Sequence, residues 1–163
     1  MRSIDRQVEK VAHETRKRIE EWVGIYTNGD RYHINPYNLR GACAHASYVI
    51  YHVLKTLGYS VTIVVGVYKK SDEGQHFWVV VNDSHIVDVT ATQFGISTKV
   101  CLIPYDQIEN KELYTPYKKG RQALIEYSYW GTFSPQGKTY KSERQLRAMR
   151  REIINNLSQS QHA

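Results

Sequence analysis

Three short segments rich in β-branched and aromatic residues follow one another between residues 61 and 89, and they constrain the fold more than any other feature. They span residues 61–68, 76–81 and 85–89, and polar stretches at 69–75 and 82–84 separate them. Runs of this length and composition, bounded by polar turn residues, are typical of β-strands. The pattern therefore predicts an antiparallel meander of three strands.

The turn at residues 82–84 fixes which residues of the last two strands face each other. If Asn-Asp-Ser forms a three-residue hairpin loop, Val81 lies opposite His85, and the same register places Trp78 opposite Asp88. A slip of one residue would turn every side chain of one strand to the other face of the sheet.

This register brings a histidine close to an aspartate. Side chains alternate along a strand, so His76, Trp78 and Asp88 are predicted to share one face of the sheet. His76 is then diagonal to Asp88, at about 7–8 Å between backbones, which an imidazole and a carboxylate can bridge. A histidine held by a carboxylate is the arrangement of a general base.

A helix precedes the strands, and a cysteine stands at its start. The apolar stripe of this predicted helix ends before Gly58, a typical C-cap, and contains Cys43, Ala46, Ile50, Leu54 and Leu57. The partial positive charge and free N–H groups of a helix N-terminus favour a thiolate. Cys43 is therefore predicted to be a nucleophile whose sulfur points toward the sheet, with His76 as its base and Asp88 orienting the histidine.

The remaining patterns predict one α+β domain over residues 1–163. Its core spans about 39–130, and amphipathic helices at 3–23 and 142–158 flank it.

Weaker patterns within the core predict two further strands, at residues 99–103 and 123–129. Residues 105–120, with their tyrosines and lysines, are predicted to be an irregular connection.

Composition narrows the cellular setting. The chain has two cysteines, no apolar run of signal-peptide length near its start and no stretch of about 20 apolar residues, so we expect a cytoplasmic protein without a membrane span. The net charge of +6 favours an acidic macromolecular partner and leaves nucleic acid open as a partner. Cys101 lies in an apolar run and is predicted to be a buried structural thiol.

Residues 39–94 resemble the papain-like transglutaminase superfamily. The residues that carry the resemblance are the segment GACAHAS around Cys43, the helix end LGY, the strand HFWVVV that begins at His76, and the segment IVDVT around Asp88. Among superfamily members the sequence is most similar to small bacterial proteins, including lasso-peptide leader proteases.

The resemblance implies a papain/transglutaminase-like core, in which the cysteine-bearing helix packs on an antiparallel β-sheet. It also implies an acyl-enzyme mechanism on a peptide or protein amide, as a protease, amidase or deamidase with a Cys43–His76–Asp88 triad. This chemistry requires no cofactor and no metal. The spacing of Cys43, His45 and His52 also lacks the pattern of zinc ligands.

The oxyanion-binding groups are less clearly marked. The backbone N–H of Cys43 is one candidate donor, and the preceding loop offers Tyr37 and Asn38. Trp78 shares the predicted catalytic face, where it either shields the ion pair, shapes the cleft or is an ordinary core residue. Gln93 follows the aspartate strand and is a candidate wall of the cleft.

A different class of function is a non-catalytic binding or inhibitory module with the same fold. Arginines 144, 147, 150 and 151 form a basic stripe on the last predicted helix, through which such a module would dock an acidic macromolecule. A solvated helical face is the simpler explanation of the stripe. This hypothesis predicts that a Cys43 mutant is fully functional and that binding to the acidic macromolecule weakens steeply with added salt.

Overall fold

A computed structural model describes residues 4–26, 39, 41–69, 75–104, 106–107, 113–132 and 139–160. These residues form helices and a five-stranded antiparallel sheet, so the prediction of an α+β fold is confirmed. The strand order is β4-β3-β2-β1-β5. The α-helices are α1 (Arg6–Tyr26), α2 (Cys43–Thr56), α3 (Arg121–Thr132) and α4 (Thr139–Ser160). The strands are β1 (Val61–Tyr68), β2 (His76–Val81), β3 (His85–Asp88), β4 (Cys101–Pro104) and β5 (Tyr114–Lys119), and a 3-10 helix (Ala91–Phe94) follows β3.

The central hairpin has the predicted register. Val81 pairs with His85, and Ser84 donates its backbone N–H to the Val81 carbonyl at 3.0 Å. The turn places Asn82 and Asp83 at φ values of 53° and 51°. Asparagine and aspartate tolerate this left-handed conformation better than most residues, which explains why they occupy the turn.

The two faces of the sheet are covered differently. The odd-numbered side chains of β2, such as Phe77 and Val79, belong to the main core together with residues of all four helices. The opposite face carries a smaller cluster of buried side chains: Val64, Tyr68, Trp78, Val80, Ile86 and Tyr114. The predicted side chains His76 and Asp88 belong to this second face, because they alternate with the core residues of their strands.

The predicted strand at residues 123–129 is wrong, since the chain forms α3 there. The helix begins after Gly120, whose φ of 60° turns the chain away from β5, and it buries Ala123 in the main core. The segment is short, apolar and aromatic, and such runs do not distinguish a strand from a buried helix. Packing against the sheet and the other helices decides the outcome.

The prediction that residues 105–120 are irregular is also wrong in part, because residues 114–119 form β5. This edge strand pairs with β1 and contains Pro116, which lacks a donor for a sheet interior but is tolerated at an edge. A bulge between Val65 and Gly66 shifts the register of the pair. A Cβ on Gly66 would lie 2.0 Å from the Thr115 carbonyl oxygen, so only glycine permits this approach.

The ends of the other elements differ from prediction by a few residues. Helix α1 starts at Arg6 rather than residue 3, and Asp5 precedes it with a side-chain oxygen 2.7 Å from the Gln7 backbone N–H. Helix α4 spans Thr139–Ser160 rather than 142–158, and β4 begins at Cys101 rather than residue 99. None of the described helices combines the length and apolar character needed to cross a membrane.

Candidate active site

Cys43 is the first residue of α2, as predicted, and a tight turn delivers it there. Leu39 is fully buried with a φ of 61°, Gly41 has a φ of 95°, and the backbone N–H of Ala42 donates to the Leu39 carbonyl at 3.0 Å. A left-handed leucine costs about 1–2 kcal/mol. The N-cap residue is Ala42, whose side chain cannot cap the helix, so its first-turn N–H groups stay available to an anion beside the cysteine.

His76 and Asp88 form a buried pair across β2 and β3. Nε2 of His76 lies 2.7 Å from Oδ2 of Asp88, and the two residues are 0% and 2% exposed. The predicted register is what brings them together, because it places both side chains on the second face of the sheet. Since the carboxylate accepts, the Nε2–H of the imidazole donates, and Nδ1 is left facing other groups.

Burial and charge oppose each other in this pair. Burial lowers the pKa of His76, but the charge and hydrogen bond of Asp88, with a further contribution from Cys43, outweigh it and raise the pKa to about 10. Burial raises the pKa of Asp88, but His76, the Thr90 backbone and Tyr114 together hold it below its ordinary value. The pair is therefore an imidazolium and a carboxylate at neutral pH.

The Asp88 carboxylate receives four hydrogen bonds. Oδ1 accepts from the Thr90 backbone N–H at 2.9 Å and from the Thr90 hydroxyl at 3.3 Å. Oδ2 accepts from His76 and from the Tyr114 hydroxyl, which lies 2.9 Å away. Both oxygens are thus satisfied in a buried setting, as an ionised carboxylate requires.

The second ring nitrogen of His76 faces a glutamine, and Cys43 lies close to the same imidazole. Nδ1 lies 2.8 Å from the side-chain amide nitrogen of Gln93, which the 3-10 helix carries. Cys43 is among the causes that raise the His76 pKa, so its thiol lies close to the imidazole. The structure brings together Cys43, His76, Asp88 and Gln93.

The sulfur and the imidazole do not meet through the face on which α2 packs, which differs from expectation. Helix α2 packs on the odd-numbered face of β2, whereas His76 belongs to the other face. Cys43 and His76 are each the first residue of their element, and they lie close together where α2 and β2 begin. The site therefore lies at the N-terminal end of β2.

The other candidate residues have distinct outcomes. Trp78 is 1% exposed and its ring lies 5.9 Å from that of His76, a position that shields the imidazole from water rather than lining an open cleft. Tyr37 and Asn38 lie outside the described residues.

Two residues that bind Asp88 were not predicted from the sequence. The contact with Thr90 has a recognisable signal, because an aspartate commonly binds the backbone N–H two residues later. Tyr114 has none, since it lies in a segment without clear periodicity and reaches Asp88 only through the pairing of β5 with β1.

Helix α1 fastens the segment that follows Asp88. Arg16 is 5% exposed, and its Nη1 donates to the Val89 carbonyl and to the Thr92 hydroxyl, both at 2.8 Å. Its Nε donates to Glu20 at 2.7 Å. A buried guanidinium thus fixes the backbone that leads to Gln93.

Cys101 differs from Cys43 in every feature that activates a thiol. It begins a strand rather than a helix and lies opposite Asp88 in the β3–β4 pair. Burial and the charge of Asp88 raise the pKa of its thiol to about 11, although Arg16 acts in the opposite direction. This setting agrees with the predicted structural role.

The described residues show no arrangement of three or more His, Cys, Asp or Glu side chains suited to a metal ion. A cavity of about 370 Å³ lies between the start of α1 and the 82–84 turn, away from the cysteine, and is lined by Ile4, Asp5, Val8, Val81, Asn82, Ser84 and His85.

The chain matches no protein-family model, and no curated protein or solved structure is significantly similar to it. The functional assignment therefore rests on the chemistry of the site.

Proposed function

We propose that this protein is a cysteine-dependent acyl-transfer enzyme that acts on a peptide or protein amide. Cys43 is the nucleophile, His76 exchanges the proton, and Asp88 holds the imidazole. The observation that carries the proposal is the buried imidazole, which binds Asp88 through Nε2, leaves Nδ1 outside that bond and lies close to Cys43. Nucleophile, base and orienting group in this order are the parts of covalent acyl transfer.

The raised pKa of His76 suits the chemistry of a thiolate. An imidazolium beside Cys43 stabilises the thiolate electrostatically, and the uncapped start of α2 adds to this effect. The thiolate attacks the amide carbonyl carbon, and the tetrahedral intermediate collapses as the imidazolium gives its proton to the leaving amine. Water or a second amine then attacks the thioester, with the neutral imidazole as base.

Two groups beside the sulfur are suited to bind the oxyanion of the intermediate. One is the backbone N–H of Cys43 at the start of α2. The other is the side-chain amide of Gln93, already within hydrogen-bond distance of the imidazole. Tyr37 and Asn38 remain candidates from the sequence.

We infer a papain/transglutaminase-like core from the same features. A cysteine-bearing helix packs on an antiparallel sheet, and the histidine and aspartate follow on successive strands. The resemblance to small bacterial members, among them lasso-peptide leader proteases, suggests a peptide substrate. Hydrolysis, deamidation and amide exchange share the acyl-enzyme and differ in the group that resolves it.

Alkylation by iodoacetamide tests the proposal without knowledge of the substrate. The native protein is treated over a pH series, and each cysteine is read by mass spectrometry, with Cys101 as the internal control. We expect Cys43 to react at pH 6–7 at least ten times faster than Cys101, because only Cys43 has an imidazolium and a helix start beside it.

The control variant is His76→Gln, which should remove the selectivity while the circular dichroism spectrum and Cys101 labelling stay unchanged. Equal and slow labelling of both cysteines in the native protein would refute the proposal. Unchanged function of Cys43→Ala, with binding of an acidic macromolecule that weakens with salt, would favour the non-catalytic module instead.

A further inference from the structure

We propose that Tyr114 is a positioning residue of the relay, whose hydroxyl holds the Asp88 carboxylate in the orientation from which it binds His76. The inference deepens the proposed function, and its catalytic consequence rests on that function. Its starting point is the 2.9 Å hydrogen bond from the Tyr114 hydroxyl to Oδ2 of Asp88, the oxygen that also accepts from His76.

The two oxygens of Asp88 are held in different ways. Thr90 binds Oδ1 from two residues further along the chain, so this contact belongs to the local turn. Tyr114 binds Oδ2 from a strand on the far side of β1 and β2. Without the hydroxyl, a buried carboxylate oxygen would lose one of its two donors, and the carboxylate would be freer to turn away from His76.

Tyr114 is suited to be a permanent donor. Burial, with the negative charge of Asp88 as the next cause, raises the pKa of Tyr114 far above its ordinary range. The hydroxyl therefore keeps its proton at every pH at which the protein works, whereas His76 must give up and regain one in each turnover. The same carboxylate oxygen therefore accepts from a phenol of fixed charge and from an imidazole whose charge changes in each turnover.

The fold places this hydroxyl by a specific device. Tyr114 of β5 pairs with Tyr68 of β1. The bulge beside Gly66 lets β5 come close to β1, and on the other side of β1 Gly66 pairs with His76 of β2. The Tyr114 ring packs edge-on against Trp78 at 5.0 Å and against Tyr68 at 5.1 Å. Two rigid neighbours leave the ring little freedom to rotate.

A direct test compares Tyr114→Phe with Tyr68→Phe, which removes a hydroxyl from the same aromatic cluster but not the one that donates to Asp88. The titration of the Asp88 carboxyl carbon is followed by NMR. We expect Tyr114→Phe to raise the Asp88 pKa by about one unit, since a hydrogen bond to the charged form is lost. Tyr68→Phe should leave the titration unchanged, and equal titrations in both variants would overturn the inference.

The second readout is the rate of Cys43 alkylation. At pH 7 the alkylation rate should fall about tenfold in Tyr114→Phe, because a carboxylate that turns away holds the imidazolium less well, and the loss should be absent when Asp88→Asn is already present. The NMR titration needs no reactive cysteine. An unreactive Cys43 in the native protein therefore refutes the proposed function, whereas an unshifted Asp88 refutes the role of Tyr114.

A further variant covers the case in which Tyr114→Phe fails to fold. Site-specific replacement of Tyr114 by 3-fluorotyrosine preserves the shape of the ring and makes the phenol a stronger donor. The Asp88 titration should then move to lower pH. An unchanged titration in the folded fluorinated protein also overturns the inference.

Discussion

The side-chain amide nitrogen of Gln93 lies 2.8 Å from Nδ1 of His76, the ring nitrogen that Asp88 does not occupy. The thiol of Cys43 lies close to the same imidazole. Nδ1 offers a single hydrogen-bonding position, so the amide and the thiol compete for it. In the proposed mechanism, attack by the thiolate frees the amide to donate to the oxyanion.

Gln93→Ala should therefore separate two reactions of Cys43. Alkylation by iodoacetamide forms no oxyanion, and its rate should stay within about threefold of the native protein or rise as the competitor for Nδ1 is removed. Acyl transfer from an activated ester should fall about 100-fold, the usual effect of losing one oxyanion donor. Equal losses in stopped-flow measurements of both reactions would indicate a structural role for Gln93.

The pair of His76 and Asp88 should make stability depend on pH with a definite sign. The pKa of His76 is about 10 in the folded protein and near 6.5 when unfolded, so its stabilisation is complete below pH 6.5 and is lost as pH rises toward 10. Urea unfolding between pH 6.5 and 8 should show a decline of up to about 1.4 kcal/mol per pH unit from this group.

The double variant His76→Gln/Asp88→Asn serves as the control for that slope. The slope attributed to His76 should be missing from it, while the other titrating groups remain. The pKa of Asp88 is lowered in the folded protein, so its contribution to stability is complete above the unfolded pKa. That contribution is lost as pH falls through the lowered pKa of the folded state. A native protein whose slope matches that of the double variant from pH 6.5 to 8 would contradict the assignment of the pair as charged.

Gly66→Ala should disturb Asp88, although Gly66 lies on β1, two strands away from β3. The new Cβ would lie 2.0 Å from the Thr115 carbonyl oxygen and 2.8 Å from the Pro116 Cα, so β5 must move. We expect a loss of about 1–3 kcal/mol in unfolding free energy and an Asp88 titration like that of Tyr114→Phe.

The matched control is Gly58→Ala, because Gly58 has a φ of 95° and open space around its Cα. Its cost should be limited to backbone strain of about 1 kcal/mol, with Asp88 unaffected. Thermal unfolding and the NMR titration together distinguish the two cases. A native Asp88 titration in Gly66→Ala would show that β5 can shift without moving the Tyr114 hydroxyl.

Arg16→Met should loosen the segment that carries Gln93. The change leaves the buried Val89 carbonyl without the donor at 2.8 Å and removes the bond to Thr92, so we expect a loss of about 2–3 kcal/mol. Hydrogen exchange of residues 89–95 should accelerate. Arg18→Met is the control, because Arg18 is also on α1 but makes more exposed ion pairs, with Glu14 and with Glu152 of α4, whose loss should cost less than about 1 kcal/mol.

The central part of the site could be predicted from the sequence because it depends on local rules. The apolar stripe and the glycine after it define the helix that starts at Cys43, and the 82–84 turn with side-chain alternation fixes the register of β2 and β3. The register and the alternation suffice to place His76 and Asp88 on one face of the sheet. Each depends on interactions between residues close in the chain.

Tertiary structure alone decided the surroundings of that pair. Strand β5 and helix α3 have sequences that suit several conformations, and their states depend on pairing with β1 and on packing against the core. The contact between Tyr114 and Asp88 joins residues on separate strands, and Gln93 reaches His76 through a segment that Arg16 holds from α1. Such long-range contacts leave no periodic pattern, because their energy is gained only once distant segments meet.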